Sequence, residues 1–273
     1  MLKKRIIARI DIKNNFLIKG IGREGVKKIA NPINAIKSYF DDGIDEISII
    51  DVTASLYNNK FLNKNFQTIT QNIFVPIVIG GGIRNLKQAK LAFKNGADKI
   101  ILNTNAFKNT KFLRELVNNF GSSNIAVNID SIFNGSNYEV LIENGKQKTG
   151  KNLIDWVKEL NEIKVGEITV CNLSHEGRMK GLDLKLYQLI NNYTDITTIA
   201  HGGIGNINDL VELFKKTNVD GASLSSLLHY NYLDLKKFSL IDDPNIYLPE
   251  NYEKNVSIKK IKEKLKKNKI NVR

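Results

Sequence analysis

The chain has 273 residues, of which 42% are hydrophobic and 25% are charged, a balance typical of a folded globular protein and not of a disordered one. No apolar run reaches the roughly 18 residues that a membrane span needs, and the first residues lack the apolar core of a signal peptide, so we expect neither. The single cysteine, Cys171, excludes an internal disulfide and favours a reducing, cytoplasmic environment.

The net charge is +13, and more than half of it comes from residues 253–273, where nine Lys and Arg side chains face two Glu. Ile258, Ile261 and Leu265 follow helical spacing there, which predicts a C-terminal helix over about residues 255–268 with a solvated lysine face. Nucleic-acid binding is the alternative, but no recognised motif accompanies the charge. The remaining positive charge suits an anionic substrate or an acidic partner.

Apolar runs alternate with helical stretches from one end of the chain to the other. The runs are nearly continuous, as in parallel strands that are covered on both faces. They cover residues 3–11, 46–52, 76–81, 99–103, 124–130, 167–173, 196–202 and 221–226. Asparagine caps begin the helical stretches at Asn31, Asn85 and Asn206. These units predict an α/β fold, a single (β/α)8 TIM barrel over residues 1–273, with a doubly wound open sheet as the alternative.

Three segments interrupt this alternation. Residues 12–30 are expected to form a long loop after the first strand, and such loops often carry function. Asn-Gly pairs at 134–135 and 144–145 predict a hairpin over residues 131–150. Residues 230–252 are polar and rich in tyrosine, and we expect them to form an insertion before the last helix.

An internal repeat favours the barrel over the open sheet. At an offset of 121 residues, GGI at 81–83 aligns with GGI at 202–204, and Glu46 aligns with Glu167. Asp11 aligns with Asp130 at the nearby offset of 119. Two fused half-barrels would produce this repeat, whereas an open sheet gives no reason for it.

The predicted functional residues lie at strand ends, because barrel active sites form at the C-terminal ends of the strands. Asp11 and Asp130 end strands one and five, and two carboxylates that flank one substrate suit general acid and general base roles; capping of loops is the alternative. Glycine pairs with nearby hydroxyl groups and helix N-termini predict two phosphate sites, with tight turns as the alternative. The first site comprises Gly81, Gly82, Asn103 and Thr104, and the second comprises Gly177, Gly202, Gly203, Ser225 and Ser226.

Charged residues also begin four of the strands, at the opposite face of the barrel. Two of these residues are positive and two are negative. They are expected to pair, because an unpaired charge inside the end of a barrel would be costly. These residues are Arg5, Glu46, Lys99 and Glu167. We name them the charged ring, and a salt-bridged plug is the simplest role for it.

Except for residues 230–252, the chain resembles the cyclase subunit of imidazole glycerol phosphate synthase. The motifs that carry the resemblance are RIIARIDI, LIKG, IDVTAS, GGGIR, GADKIILNT, KTG…DW and INVR. The resemblance implies a barrel that takes ammonia from a glutaminase subunit docked at its N-terminal face, with no cofactor or metal. The implied reaction converts a ribulosyl aminoimidazole-carboxamide nucleotide with two phosphates to imidazole glycerol phosphate and aminoimidazole carboxamide ribotide. Asp11 and Asp130 would be the acid/base pair, Lys19 the loop residue that closes on substrate, and the charged ring the ammonia gate.

The second half of the chain departs from this family. Strand six leads into VCNLSHEGRMKG, which contains Cys171 and Glu176, and His201 precedes the second glycine pair. RIDIKNN, TASLYNN and SLLHYN resemble a paralogous branch associated with amidination of sugars in surface glycans. Three hypotheses therefore stand: the histidine-pathway cyclase, the glycan-amidinating paralog, and a non-enzymatic barrel that only activates its partner or binds nucleic acid.

Overall fold

A computed structural model of the chain describes residues 3–52, 69–235 and 252–273. Its centre is a closed barrel of parallel strands, because the first strand pairs with the second barrel strand on one side and with the last on the other. The barrel strands are β1 (Arg5–Lys13), β4 (Glu46–Asp51), β5 (Ile77–Gly80), β6 (Lys99–Leu102), β7 (Ile125–Phe133), β10 (Glu167–Asn172), β11 (Thr197–His201) and β12 (Gly221–Leu224). The predicted (β/α)8 barrel is confirmed, and the open sheet is wrong.

Helices surround the barrel. They are α1 (Pro32–Asp41), α2 (Leu86–Lys94), α3 (Thr104–Lys108), α4 (Thr110–Phe120), α5 (Leu153–Ile163), α6 (Leu184–Asn191), α7 (Ile207–Lys216), α8 (Ser226–Asp234) and α9 (Ile258–Lys267). Alternate strand residues such as Ile6, Ala8 and Ile10 pack against them in the main core. The side chains that alternate with these along β1, including those of Arg5 and Arg9, therefore point into the barrel. No helix in the described ranges is both long and apolar enough to cross a lipid bilayer.

The half-barrel repeat is visible in backbone geometry. Asn85 and Asn206 cap α2 and α7 with nearly the same φ and ψ, −153° and 165° against −150° and 168°. Asn103 and Ser225, at the ends of β6 and β12, share an unusual conformation, with φ and ψ of −124° and −94° against −132° and −86°. Two unrelated turns would not match in this way, so the repeat extends to the strand ends that form the site.

The predicted loop at residues 12–30 is instead a β-hairpin. Asn14 and Asn15 both have positive φ, at 51° and 66°, which is the turn geometry that asparagine tolerates. They turn the chain from β1 into β2 (Phe16–Ile21), which pairs antiparallel with β3 (Glu24–Ala30). We call β2 and β3 the lid hairpin, because they lie over the barrel mouth.

The second predicted hairpin is confirmed. β7 continues past the barrel and pairs antiparallel with β8 (Tyr138–Ile142), which pairs with β9 (Gln147–Asn152). Near the C-terminus, α9 buries Ile258, Ile261 and Leu265 completely and leaves its lysines toward solvent, except Lys262, which pairs with Asp45. The predicted insertion at 230–252 is wrong for residues 230–234, which belong to α8, and its residues 236–251 lie outside the described part of the chain.

Candidate active site

The two predicted catalytic carboxylates lie at the barrel mouth. Asp130, at the end of β7, is fully buried and accepts hydrogen bonds from Arg23 Nη2 at 2.6 Å, Asn103 Nδ2 at 2.7 Å and Asn128 Nδ2 at 3.2 Å. Asp11, in β1, accepts from Arg9 Nε at 2.9 Å. Each carboxylate therefore has an arginine partner.

A chain of hydrogen bonds joins the two carboxylates through the barrel interior. Arg9 is 2% exposed, and its Nη1 donates to Asn128 Oδ1 at 2.9 Å while its Nε donates to Asp11. The amide nitrogen of Asn128, Nδ2, in turn donates a hydrogen bond to Asp130 Oδ1. Asp11, Arg9, Asn128 and Asp130 thus form one polar network, and such networks hold their members in fixed positions.

Asp11 is ionised at neutral pH. Burial alone would raise the pKa of this carboxyl group, but the positive charges of Arg9, Arg23 and Lys19 outweigh it and lower the pKa to about 2. Asp11 therefore enters a reaction as a carboxylate, which can accept a proton and has none to donate.

The first predicted phosphate site opens into a cavity of about 550 Å³. Gly81, Gly82, Asn103 and Thr104 all line it. Gly81 has a φ of +101°, and a Cβ atom there would lie 2.1 Å from the carbonyl oxygen of Asp51, so no other residue fits. Five cationic side chains also line the cavity: Arg9, Arg23, Arg84, Lys108 and Lys146. The space and the charge both suit a phosphate group.

The residues of the second predicted phosphate site also lie together, but side chains fill nearly all of the space between them. Its lining includes Gly177, Gly202, Gly203, Ser225, Ser226 and the predicted lid residue Lys19, and only about 10 Å³ of space remains. His201 fills part of it. Because a carbonyl oxygen only accepts, His201 Nδ1 donates to Ser223 O at 2.9 Å, and burial with nearby Arg9 lowers the pKa of the imidazole to about 3. A neutral imidazole thus stands beside the second glycine pair.

Glu176 fills the rest of the second site. Its Oε1 accepts from Lys19 Nζ at 2.6 Å, and its Oε2 accepts from the backbone N–H of Arg23 at 3.1 Å. Burial would raise the pKa of this carboxyl group, but Lys19 and Arg23 outweigh it and lower the pKa to about 2. Two ion pairs therefore join the lid hairpin to the second half of the mouth: Lys19 with Glu176, and Arg23 with Asp130.

Cys171 and His229 contribute packing and no nucleophile. Cys171 is fully buried, and burial with the nearby charge of Asp130 raises the pKa of its thiol, which keeps it protonated. His229 is fully buried in α8 and is hydrogen-bonded through Nδ1 to the Tyr39 hydroxyl at 2.6 Å. In the ranges that the structure covers, no cluster of three or more His, Cys, Asp or Glu side chains could hold a metal ion.

The charged ring closes the opposite end of the barrel. Arg5 contacts Glu46 and Glu167 at 2.6 Å each, and Lys99 contacts the same two carboxylates at 3.1 and 2.9 Å. Burial and the proximity of Glu167 raise the pKa of Glu46, against the lowering effect of the two cations. The four side chains thus form the alternating arrangement that their positions in the sequence predict.

Comparison with known proteins identifies the family. The family described as "Histidine biosynthesis protein" matches residues 5–234, from the first residue of β1 to the end of α8. The chain belongs to this family. The matched segment contains the two carboxylates, Lys19, both glycine pairs and the charged ring.

Individual members of the histidine biosynthesis family are similar over most of their length. The imidazole glycerol phosphate synthase subunit HisF of Lactococcus lactis subsp. cremoris (strain SK11) is 36% identical over 232 residues, which cover 84% of this chain and 90% of the relative. HisF of Thermococcus onnurineus is 36% identical over 230 residues, covering 84% and 91%. HisF of Pyrococcus furiosus is 34% identical over 240 residues, covering 88% and 95%.

Four site residues are absent from the sequence-based predictions: Arg9, Arg23, Asn128 and Glu176. Arg9 lies in an apolar run and was counted only as part of a strand, although an arginine inside a buried strand needs a carboxylate partner. Arg23 lies in a segment that was expected to be a loop. Glu176 was noted only as a departure from the family. The signal for Arg9 was available; the signals for Arg23 and Glu176 depend on tertiary structure.

Proposed function

We propose that this chain is the cyclase subunit of an imidazole glycerol phosphate synthase, a lyase that acts in histidine biosynthesis with ammonia from a glutaminase subunit. The observation that carries the proposal is the pair of carboxylates, Asp11 and Asp130, joined through Arg9 and Asn128 beside a cationic cavity. Each of the three relatives described above carries the synthase name, which favours this function over glycan amidination. The proposed reaction takes place in the cytoplasm.

The substrate is anchored first at Gly81 and Gly82. One phosphate of the bis-phosphate nucleotide accepts hydrogen bonds from the backbone at these glycines, with Arg84 and Lys146 as nearby cations. The scissile part of the substrate then extends across the mouth toward Asp130, whose partner Asn103 also lines the cavity. Anchoring at one end reduces the entropy that the chemical step must lose.

Asp11 and Asp130 divide the proton transfers between them. Addition of ammonia to a carbonyl carbon leaves a cationic nitrogen that loses one proton to the ionised Asp11 carboxylate, and the carbonyl oxygen leaves as water when the C=N bond forms. Departure of aminoimidazole carboxamide ribotide requires a proton on the leaving nitrogen. Once Arg23 has moved away, Asp130 takes a proton from the nitrogen that closes the new ring and passes it to the leaving nitrogen. Different partners for the two carboxyl groups permit these different roles.

Ammonia enters through the charged ring at the N-terminal face, where the glutaminase subunit docks. Along β1, Arg5 and Asp11 are six residues apart, so ammonia travels about 20 Å through the barrel interior. The four ion pairs keep water and bulk ions out when ammonia is not passing. A purely structural plug has the same ion pairs, but only a gate affects how much of the ammonia released from glutamine reaches the product.

Complementation tests the proposal directly. A histidine auxotroph that lacks its cyclase subunit is transformed with this chain and its glutaminase partner, and growth without histidine is expected. The Asp130→Asn variant, expressed at the same level, should not support growth. Absence of growth with the unmodified chain, when the two subunits co-purify from those cells, would overturn the histidine-pathway function.

A further inference from the structure

The two halves of the barrel mouth have equivalent backbone conformations, but the cavities beside their glycine pairs differ greatly in volume. Both glycine pairs have positive φ, at 101° and 68° for Gly81 and Gly82 and at 90° and 94° for Gly202 and Gly203. The cavity beside the first pair measures about 550 Å³, and the space beside the second about 10 Å³. A phosphate group fits the first and not the second, so the difference arises from side chains.

The occupant of the second half is itself an anion. The Glu176 side chain is 4% exposed and contacts Lys19, which is also 4% exposed, at 2.6 Å. Its other oxygen accepts a backbone N–H from the lid hairpin. A carboxylate that bonds one ammonium and one backbone N–H has the contacts that a phosphate oxygen would make at such a site.

The second half nevertheless keeps parts of an anion site that Glu176 does not use. Ser225 Oγ is buried and has no hydrogen-bond partner among the described residues, and Ser225 occupies the position that Asn103 occupies in the first half. Buried hydroxyl groups without partners are uncommon and call for an explanation. A ligand that replaces Glu176 would provide one.

We infer that Glu176 is an internal anion that occupies the second phosphate site, so that a second phosphate binds only by displacing Glu176 from Lys19. The inference rests on the proposed function and makes Glu176 a specificity-determining residue for it. The first phosphate binds at Gly81 and Gly82 without displacing Glu176.

Displacement of Glu176 also affects the proposed acid. Lys19 and Arg23 belong to the same lid hairpin, and Arg23 holds Asp130 through a contact of 2.6 Å. When a second phosphate takes Lys19 from Glu176, the hairpin loses one of its two ion pairs to the mouth. The Arg23–Asp130 pair is left without the support of the Lys19–Glu176 pair, so Asp130 is released more easily than with a ligand that carries a single phosphate.

Titration with inorganic phosphate tests the inference. Calorimetry on the full-length chain should give one site. The Glu176→Gln variant, which keeps the shape of the side chain and removes its charge, should give two sites, the second at least about tenfold tighter than any weak second binding to the unmodified chain. Glu143→Gln is the matched control: it removes a carboxylate that lines the first cavity, and the number of sites should stay at one.

Two results would overturn the inference: two sites of similar affinity in the unmodified chain, or a single site in a folded Glu176→Gln variant. If that variant does not fold, the stoichiometry of the unmodified chain decides alone, since two similar sites are incompatible with an internal anion and one site is the expected result. Phosphate stoichiometry does not depend on turnover. A chain that binds one phosphate but fails in the auxotroph would contradict the proposed function and leave the role of Glu176 intact.

Discussion

The charged residues of the mouth act as pairs, two of which join distant parts of the chain. Asp11 with Arg9, Asp130 with Arg23 and Glu176 with Lys19 are three close ion pairs, all largely buried. Breaking one member of such a pair is costly, because the other charge remains buried without compensation. A ligand can replace one member only if it supplies the same charge, and this requirement selects for anionic groups at Lys19 and Arg23.

Two buried histidines make stability depend on pH. Burial lowers the pKa of His201 and of His229 to about 3, against an ordinary value of 6.5. The unfolded chain gains a proton on each imidazole as the pH falls below 6.5, whereas the folded chain does not until about 3. The free energy of unfolding should therefore decrease between pH 6.5 and pH 4.5, by up to about 1.4 kcal/mol per pH unit for each histidine.

Denaturant unfolding of the chain and of a His201→Asn variant across this pH range measures the effect. In the variant, the free energy of unfolding should depend less steeply on pH, by the contribution of about one proton. The carboxyl groups that both proteins share cancel in the comparison. Parallel curves would show that His201 is not held neutral in the folded state.

The second glycine pair has a steric requirement that can be measured. Gly203 has a φ of +94°, and a Cβ atom there would lie 2.1 Å from the carbonyl oxygen of Gly181. Gly43 has a similar φ of +87° but no atom within 4 Å of the corresponding position. Gly203→Ala should therefore be less stable than Gly43→Ala by about 1–3 kcal/mol, because it adds a clash to a shared backbone strain. Equal losses in chemical denaturation would indicate that the turn relaxes.

At the scale of elements, the barrel could be predicted from the sequence and the lid hairpin could not. The barrel strands are continuous apolar runs, and the repeat gave their arrangement. In β3, by contrast, Glu24 to Lys28 are exposed, so the segment carries no hydrophobic pattern that distinguishes a strand from a loop. The closure of the second phosphate site depends on Lys19 meeting Glu176, which are 157 residues apart, and no local pattern contains that information.

The charged ring can be tested as an element with one substitution. Lys99→Met removes one cation and leaves Glu46 and Glu167 both paired with Arg5 alone. If the ring is the ammonia gate, the complex should hydrolyse more glutamine per molecule of product, while turnover with external ammonium salts stays near its original rate. The physical reason is that ammonia lost at the ring never reaches the mouth, whereas external ammonia does not need the ring.

Lys4→Met is the matched control, since Lys4 lies one residue before β1 and donates to Val219 O without joining the ring. Its ratio of glutamine hydrolysed to product formed should not change. A Lys99→Met variant that is less stable but keeps the original ratio would favour the structural plug over the gate.

At the scale of the whole molecule, the barrel separates two kinds of chemistry. The N-terminal face carries the buried ion pairs of the charged ring. The C-terminal face carries the 550 Å³ cavity and the two carboxylates, which suits a phosphorylated substrate. Residues 253–273 contribute +7 of the net charge of +13, mostly through the lysines of α9.

The central claim is that the mouth of this barrel is a cyclase site that uses Asp11 and Asp130. The purified chain is supplied with ammonium salt and the bis-phosphate ribulosyl aminoimidazole-carboxamide nucleotide, and formation of imidazole glycerol phosphate is followed. We expect turnover by the unmodified chain and a loss of about 10²- to 10⁴-fold in Asp11→Asn and in Asp130→Asn, with both variants folded. No product from the unmodified chain, or retained turnover in both variants, would contradict the account.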